Sequence, residues 1–258
     1  MDYITKFESD LKRLDDNYRQ PDLFIRNMAK DSDKFRALIL QGPPGVGKTY
    51  SVEQSLKTHA KGRYQLINGM ITNLSLYGSL YRASKKGHIL FLDDCDNFLK
   101  DVTGVNILKA AMDTKPNREI HWESSSHLLT LLGIPNKFKF NGSVILNTNI
   151  GYDNSNQKFI TRLSALKDRA LNITISDNDA DRLFKQVCYM VLIQDMLSHH
   201  NFTNEEKNML LEWIDVNRKF IPRISLRTII KLSNIYSADK SNWMLMAEQG
   251  LLGGVTYA

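Results

Sequence analysis

The sequence predicts an α/β protein: an αβα sandwich on a five-stranded parallel sheet, followed by a smaller C-terminal α-helical lid. Three observations predict it. Five short runs, FRALIL (35–40), YQLIN (64–68), HILFL (88–92), SVILNT (143–148) and LNITI (171–175), are apolar and rich in branched residues, as strands buried on both faces are. The segments between them, SVEQSLKTHA, LYGSLYRAS, GVNILKAAMD and FITRLSALKDR, carry apolar residues at i, i+3 and i+4, so helices cover both sides of the sheet. After about residue 177 the strands stop, and DADRLFKQVCYMVLIQDM, TNEEKNMLLEWIDVN, SLRTIIKLSNIYS and NWMLMAEQGLL read as four helices.

Taken in order, residues 1–30 form an N-terminal helical extension, with Ile4, Phe7, Leu11 and Leu14 at helical spacing and a break expected at Pro21 before DLFIRNMAK. Residues 31–177 form the sandwich. One connection departs from simple alternation: REIHWESSSHLLTLLGIPNKFKFNG holds two alternating runs, EIHW and KFKF, around an apolar stretch, which predicts a hairpin-like excursion near 115–142. Residues 178–258 form the lid, where Thr203 followed by Glu206 has capping-box spacing. Neither an internal repeat nor a low-complexity tract interrupts this order.

With 258 residues and 42% apolar content the chain has the means to bury a substantial core. No run approaches the roughly 18 apolar residues of a membrane span, and the first thirty residues lack a signal core, so the expectation is a cytoplasmic protein without a membrane partner. Cys95 and Cys188 lie far apart without a nearby Cys or His, a pattern that supports neither a disulfide framework nor a zinc site. The 34 Lys and Arg against 28 Asp and Glu leave a net charge of +6, spread along the chain rather than gathered in a tract. That permits nucleic-acid binding without pointing to it.

Residues 42–49 read GPPGVGKT, directly after the apolar ALIL and before the helix-forming TYSVEQSLK. Gly42, Gly45 and Gly47 can take backbone angles closed to other residues, so successive amide N–H groups can turn inward around an anion. The N-terminus of the following helix adds its own N–H groups and dipole. Lys48 places a point charge on the β- and γ-phosphates, and Thr49 offers a hydroxyl to a magnesium ion. This is the full G-x-x-x-x-G-K-[ST] spacing in its strand–loop–helix setting. The nucleotide-binding set is Gly42, Pro43, Pro44, Gly45, Val46, Gly47, Lys48, Thr49 and Tyr50.

A bound triphosphate needs a metal anchor, and its hydrolysis needs a positioned water. HILFLDDCD supplies an acidic pair at the end of a buried run. Asp93 is expected to hold Mg²⁺ through water, together with Thr49, and Asp94 to orient or deprotonate the attacking water.

On these motifs the chain resembles the AAA+ ATPase family over most of residues 20–245: GPPGVGKT looks like its Walker A motif and ILFLDD like its Walker B motif. Family members mostly carry Asp-Glu where this chain has Asp93-Asp94, one methylene shorter. The resemblance implies a sensor 1 asparagine at the polar end of SVILNTN, Asn149 or alternatively Asn147, on a strand between the P-loop and Walker B strands. Asn68 occupies the place of the family's switch residue. Arg169, at the end of the helix FITRLSALKDRA, or alternatively Arg162, matches the arginine finger offered to a neighbouring subunit's nucleotide. In FIPRISLRTIIKL, similar to the sensor 2 helix, Arg227 or alternatively Arg223 would reach the γ-phosphate. The implied molecule is a Mg²⁺-dependent ATPase working as a homo-oligomer, a hexameric ring by the family's habit. The Asn-Lys-x-Asp segment that reads guanine is missing, which favours ATP.

HWESSS, GIPNKFKFNGSVILNTN and ISLRTIIKL further resemble phage-encoded members of the family, which would place the protein in the host cytoplasm. Two substrate classes stay open. A motor on nucleic acid would use Lys115, Arg118, Lys137 and Lys139 of the excursion to face a channel. A protein remodeller would use Tyr77, before Gly78, as an aromatic pore residue. A nucleotide-gated scaffold with slow turnover is the third possibility.

Overall fold

The computed structural model describes residues 2–123, 126–151, 156–175 and 179–252. In chain order its elements are α1 (Tyr3–Lys6), α2 (Glu8–Lys30), β1 (Ala37–Gln41), α3 (Lys48–His59), β2 (Tyr64–Asn68), α4 (Asn73–Arg82), β3 (Ile89–Asp93), α5 (Val102–Ala111), β4 (Glu119–His121), α6 (His127–Leu131), β5 (Lys137–Lys139), β6 (Ser143–Thr148), α7 (Gln157–Lys167), β7 (Leu171–Thr174), α8 (Ala180–Leu192), α9 (Asn204–Val216), α10 (Leu226–Ala238) and α11 (Trp243–Leu251). Contacts divide the chain into two compact units. The core unit is Arg19–Pro43 with Lys48–Ser176, and the helical unit is Met1–Tyr18, Pro44–Gly47 and Asp177–Ala258. The expected extension 1–30 is thus shared between the two, and the expected boundary at 177/178 lies outside the described residues.

In the core unit five strands pair in parallel in the order β2-β3-β6-β1-β7. Because side chains alternate across a strand, each sheet face has its own set of residues. Leu38, Leu40, Ile89, Phe91 and Ile145 share a core with Val52 and Leu56 of α3 and Ile25 and Met28 of α2. Ile39, Leu90, Leu92, Val144 and Leu146 share the other with Leu76 and Leu80 of α4, Leu108 of α5 and Leu163 and Leu166 of α7. Burial on both faces is the reason these strands read as continuous apolar runs. The outer strands β2 and β7 are the more exposed ones, as sheet edges are.

Pro21 does not break the chain: α2 runs through it. Its missing N–H leaves the carbonyl four residues back, that of Asn17, without its helical partner, and Asn17 is exposed, so water can serve it. Ile4, expected on an apolar face, is 40% exposed.

The excursion forms a two-stranded antiparallel pair, β4 with β5, in the register Glu119↔Lys139, Ile120↔Phe138 and His121↔Lys137. Ile120 and Phe138 point into the core; their neighbours do not. Two of the residues assigned to a channel or pore are placed otherwise. Tyr77 is fully buried, its ring against Phe138 at 5.1 Å and its hydroxyl donating to Pro135 O at 2.8 Å. The aromatic face sought by a pore reading is spent on the excursion's own packing. Arg118 is 3% exposed and donates to the carbonyls of Ala111 (2.9 Å), Gly142 (3.0 Å) and Ser32 (3.4 Å), so its charge ties three segments together instead of facing solvent. Lys137 pairs with Glu119 at 2.8 Å, and Lys115 and Lys139 are exposed.

In the helical unit α1 lies against α8 through an aromatic cluster of Tyr3, Phe7 and Phe184. Tyr3 Oη donates to Asp215 at 2.7 Å, and Arg218 bridges Asp215 and Asp181. The capping box opens α9 as spaced: Glu206 N donates to Thr203 Oγ1 at 3.2 Å and Thr203 N to Glu206 Oε2 at 2.9 Å. No helix among the described residues is long and apolar enough to cross a membrane.

Arg118→Met keeps the stem and removes the donors, leaving three carbonyls unserved. It should cost about 2–4 kcal/mol in urea unfolding, whereas Lys139→Ala should change stability by less than about 0.5 kcal/mol. Equal, small effects would show that Arg118 is not holding those segments.

Candidate active site

The site is assembled by register. Asp93, the last residue of β3, pairs with Asn147 of β6, and Asn147 pairs in turn with Leu40 of β1, so the carboxyl ends of the three central strands stand at one level. In open parallel sheets ligands gather at such ends. Asp93 continues the face of Ile89 and Phe91, and Asn147 that of Ile145, which is the face covered by α3. Thr49, in the first turn of α3, therefore meets both. Its hydroxyl lies 2.9 and 3.0 Å from the two carboxylate oxygens of Asp93, and Asn147 Nδ2 donates to Thr49 Oγ1 at 3.1 Å and to Asp93 Oδ1.

Lys48 stands one residue earlier, with 5% of its surface exposed. Its ammonium donates to Gly42 O, Pro43 O and Asn149 Oδ1, each at 2.8 Å. Three acceptors match its three protons. Asn149 Nδ2 donates to Asp94 Oδ1 at 2.9 Å, so one amide links the lysine to the second acid. Asp94 is exposed and holds a left-handed backbone, φ +49°, in which Asp and Asn are the least disfavoured side chains after Gly. That turn sends Asp94 away from the strand's alternation.

The two asparagines offered as alternatives thus have separate partners: Asn147 serves Thr49 and Asp93, Asn149 serves Lys48 and Asp94. Asn68 ends β2 opposite Asp93 in the register and is exposed. Arg169 is half-buried and donates to Ala165 O at 2.7 Å, within the last turn of its own helix, and Arg162 donates to Leu99 O. In the helical unit Arg223 donates to Pro44 O at 3.1 Å, while Arg227 is exposed on the first turn of α10. Tyr50 is half-buried beside Thr49.

Sequence reasoning passed over Thr148 and Asp96. Thr148 points to the other face of β6 and donates to Asp96 Oδ2 at 2.9 Å, while receiving Ile150 N at 3.1 Å, which fixes the turn that carries Asn149. The third acid of HILFLDDCD was the available signal.

Two features match a bound magnesium nucleotide. The donor set of a hydroxyl and a carboxylate is hard oxygen, which suits an ion that keeps several waters and takes phosphate oxygens for the rest. Asn147 Oδ1 is buried without a hydrogen-bond partner among the described residues, an acceptor in reserve at the same spot. Thr49 and Asp93 would hold the ion, and Lys48 the phosphates.

Burial is the largest influence on Asp93 and raises its pKa. The hydrogen bonds from Asn147 and Thr49 work against it, the Asp94 charge adds to it and Lys48 opposes it.

No family model matches the chain. An Enterobacteria phage T4 protein, named an uncharacterized 36.7 kDa protein in the nrdC-mobD intergenic region, is 32% identical over 214 residues. The alignment covers 81% of this chain and 66% of the phage protein, so the chain spans just under two thirds of that relative. Among solved structures, domain III of the Thermotoga maritima replication initiation protein DnaA is similar with a TM-score of 0.50 at 12% identity, over 92% of this chain and 93% of that one. The Thermotoga maritima RuvB Holliday junction branch migration motor aligns with a TM-score of 0.49 at 14% identity, over 91% of this chain and 68% of the other. At such identities the likeness is one of fold.

The raised pKa of Asp93 makes a signed prediction. Between the ordinary value of 3.8 and the higher folded value the folded chain binds more protons than the unfolded one, so stability falls as pH rises through that window. Above it the ionised carboxylate is a standing cost. Asp93→Asn should raise the nucleotide-free melting temperature at pH 7, and the gain should shrink as the pH falls toward the ordinary carboxylate value. A variant less stable than its parent at neutral pH would reverse this account of the site.

Proposed function

On a chain with the AAA+ P-loop fold, we propose that the site binds ATP with Mg²⁺ and hydrolyses it, and that the protein works as a ring-like homo-oligomeric motor or remodeller in nucleic-acid metabolism. The observation that carries this is the pair of hydrogen-bonded sets at the three strand ends, Thr49–Asp93–Asn147 and Lys48–Asn149–Asp94. One set offers hard oxygens for a cation; the other offers a cation and an acid.

Lys48 is held by two loop carbonyls and Asn149. Phosphate oxygens exchange for those acceptors, and charge-assisted bonds compensate for the neutral ones lost. Releasing Asn149 from Lys48 leaves its amide on Asp94, which keeps that carboxylate ready to take the proton of the attacking water. Thr49 and Asp93 would hold the magnesium ion, which would supply positive charge to the transferring phosphate. Arg169 serves as the finger for the neighbouring protomer's nucleotide, with Arg162 as the alternative. Arg227 acts as sensor 2, and Arg223, which already touches the loop carbonyl of Pro44, is the alternative. Residues 178–258 form the lid. We place its site of action in the host cytoplasm, a reading that the relative in a phage favours.

DnaA is by name a replication initiation protein, and this name favours nucleic acid as the substrate class. The burial of Tyr77 removes the main support for a protein-threading unfoldase. A slowly turning, nucleotide-gated scaffold is the second reading, favoured by the short side chain and left-handed backbone of Asp94.

Lys48→Ala should lower ATP affinity at least about a hundredfold, measured by calorimetry with magnesium; unchanged affinity rejects the site. Wild-type turnover that neither single- nor double-stranded DNA raises at low salt counts against the nucleic-acid reading. Arg169→Ala should bind ATP normally and lose most turnover, by about 10³-fold if the finger acts as in related phosphoryl transfer. Mixing it with Asp94→Asn protomers should recover part of the activity. No recovery at any ratio argues against a site shared between subunits.

A further inference from the structure

The apex of the phosphate loop, Pro44–Gly47, groups with the helical unit, and three of its carbonyls in succession are taken by donors from that unit. Arg223 Nη2 donates to Pro44 O at 3.1 Å, Leu226 N donates to Gly45 O at 2.9 Å, and Val46 O receives both the Tyr18 hydroxyl and Gln186 Nε2, the latter at 3.0 Å. Gln186 Nε2 also donates to the Tyr18 oxygen, which closes a triangle in which every group is served. Tyr18 and Gln186 are both buried. Tyr18 comes from α2, its ring stacked on Tyr189 of α8 at 5.1 Å, and Gln186 sits on the buried stripe of α8 between Leu183 and Met190.

The consequence follows from peptide geometry. The chain has no cis peptide bond among its described residues, and in a trans peptide the carbonyl of one residue and the N–H of the next point in opposite directions. Fixing the carbonyls of Pro44, Gly45 and Val46 toward the helices therefore fixes the N–H groups of Gly45, Val46 and Gly47 toward the opposite side of the loop. Those are the amides that a phosphate-wrapping loop needs aligned. Left-handed angles at Gly45 (φ +81°) and Gly47 (φ +89°) let the loop take this path. The packing is close at the first of them: a Cβ on Gly45 would lie 2.7 Å from the Ser225 Cβ.

We infer that Tyr18 and Gln186 are positioning residues for the phosphate loop, which hold the Val46 carbonyl so that the loop's amides are aligned before a triphosphate arrives. The inference rests on the proposed ATP site and concerns only how that site is preorganised. A loop aligned in advance does not have to order itself on binding, so the gain appears as affinity. Because the amides grip ground state and transition state alike, the gain falls on KM and leaves kcat untouched. The grip is also on phosphate and is indifferent to the base.

Tyr18→Phe keeps the ring stack on Tyr189 and removes only the hydroxyl, and Gln186→Met keeps the side-chain bulk while removing the amide. Each should weaken binding of magnesium ATP about fivefold to tenfold, and weaken inorganic tripolyphosphate by the same factor. The rise in KM should come without a change in kcat. The double variant should lose less than the product of the two factors, since both act on one carbonyl. ATP affinity that falls while tripolyphosphate affinity holds would assign Tyr18 to the nucleoside and overturn the inference, and so would unchanged affinity for both. Should Tyr18→Phe lose its cooperative melt, Gln186→Met carries the same test. Wild-type protein that binds neither ATP nor tripolyphosphate would overturn the ATP site itself, and this inference with it.

Discussion

Strand β6 lies between β1 and β3, and the remainder of the site depends on that insertion. Its backbone pairs residue for residue with both neighbours, so Leu40, Asn147 and Asp93 stand level across the sheet. A slip of one residue in either pairing would carry Asn147 to the other face, because side chains alternate with a period of two. The burial of all six residues of β6 resists that slip. Large apolar side chains at Val144, Ile145 and Leu146 are committed to opposite cores, and each buried aliphatic is worth roughly 1.5–3 kcal/mol. A polar site is thereby positioned by apolar packing a few residues away.

Within the site, satisfied hydrogen bonds decide what is rigid. Lys48 could not remain charged and almost fully buried without partners. The two loop carbonyls and Asn149 meet that requirement. Asp93 is held by Thr49 and Asn147, yet burial outweighs them and keeps its pKa high. The contrast is chemical: the lysine's ammonium is met by carbonyl and amide oxygens, whereas the aspartate is a carboxylate buried beside a second acid. An incoming divalent ion would relieve it.

The apex of the phosphate loop is served from within the helical unit. The loop's ends, with Lys48 and Thr49, belong to the sheet unit, and its apex, Pro44–Gly47, belongs to the helical unit. Carbonyls at the apex are bonded by Arg223, Leu226, Gln186 and Tyr18, residues from three different helices or their approaches. A glycine-rich segment has the greatest conformational entropy to lose, so outside donors do here what side chains in the loop could not.

Much of this was legible in the one-dimensional chain. Five strands were readable because a strand hidden on both faces needs an unbroken apolar run, and the intervening helices because their apolar residues recur at the helical period. Gly45, Gly47, Lys48, Thr49 and Asp93 could be picked out since backbone angle, charge and strand-end position are local properties. Tertiary structure decided the rest. Asn147 and Asn149 are two residues apart with the same chemistry, and only the register of β6 and the turn held by Thr148 give them different partners. Arg118 and Tyr77 look like surface recognition residues until the segments they bind are folded over them. Tyr18 and Gln186, 168 residues apart, converge on one carbonyl. Burial and partnership are properties of a residue's neighbours in space, and local patterns of sequence carry no record of who those neighbours are.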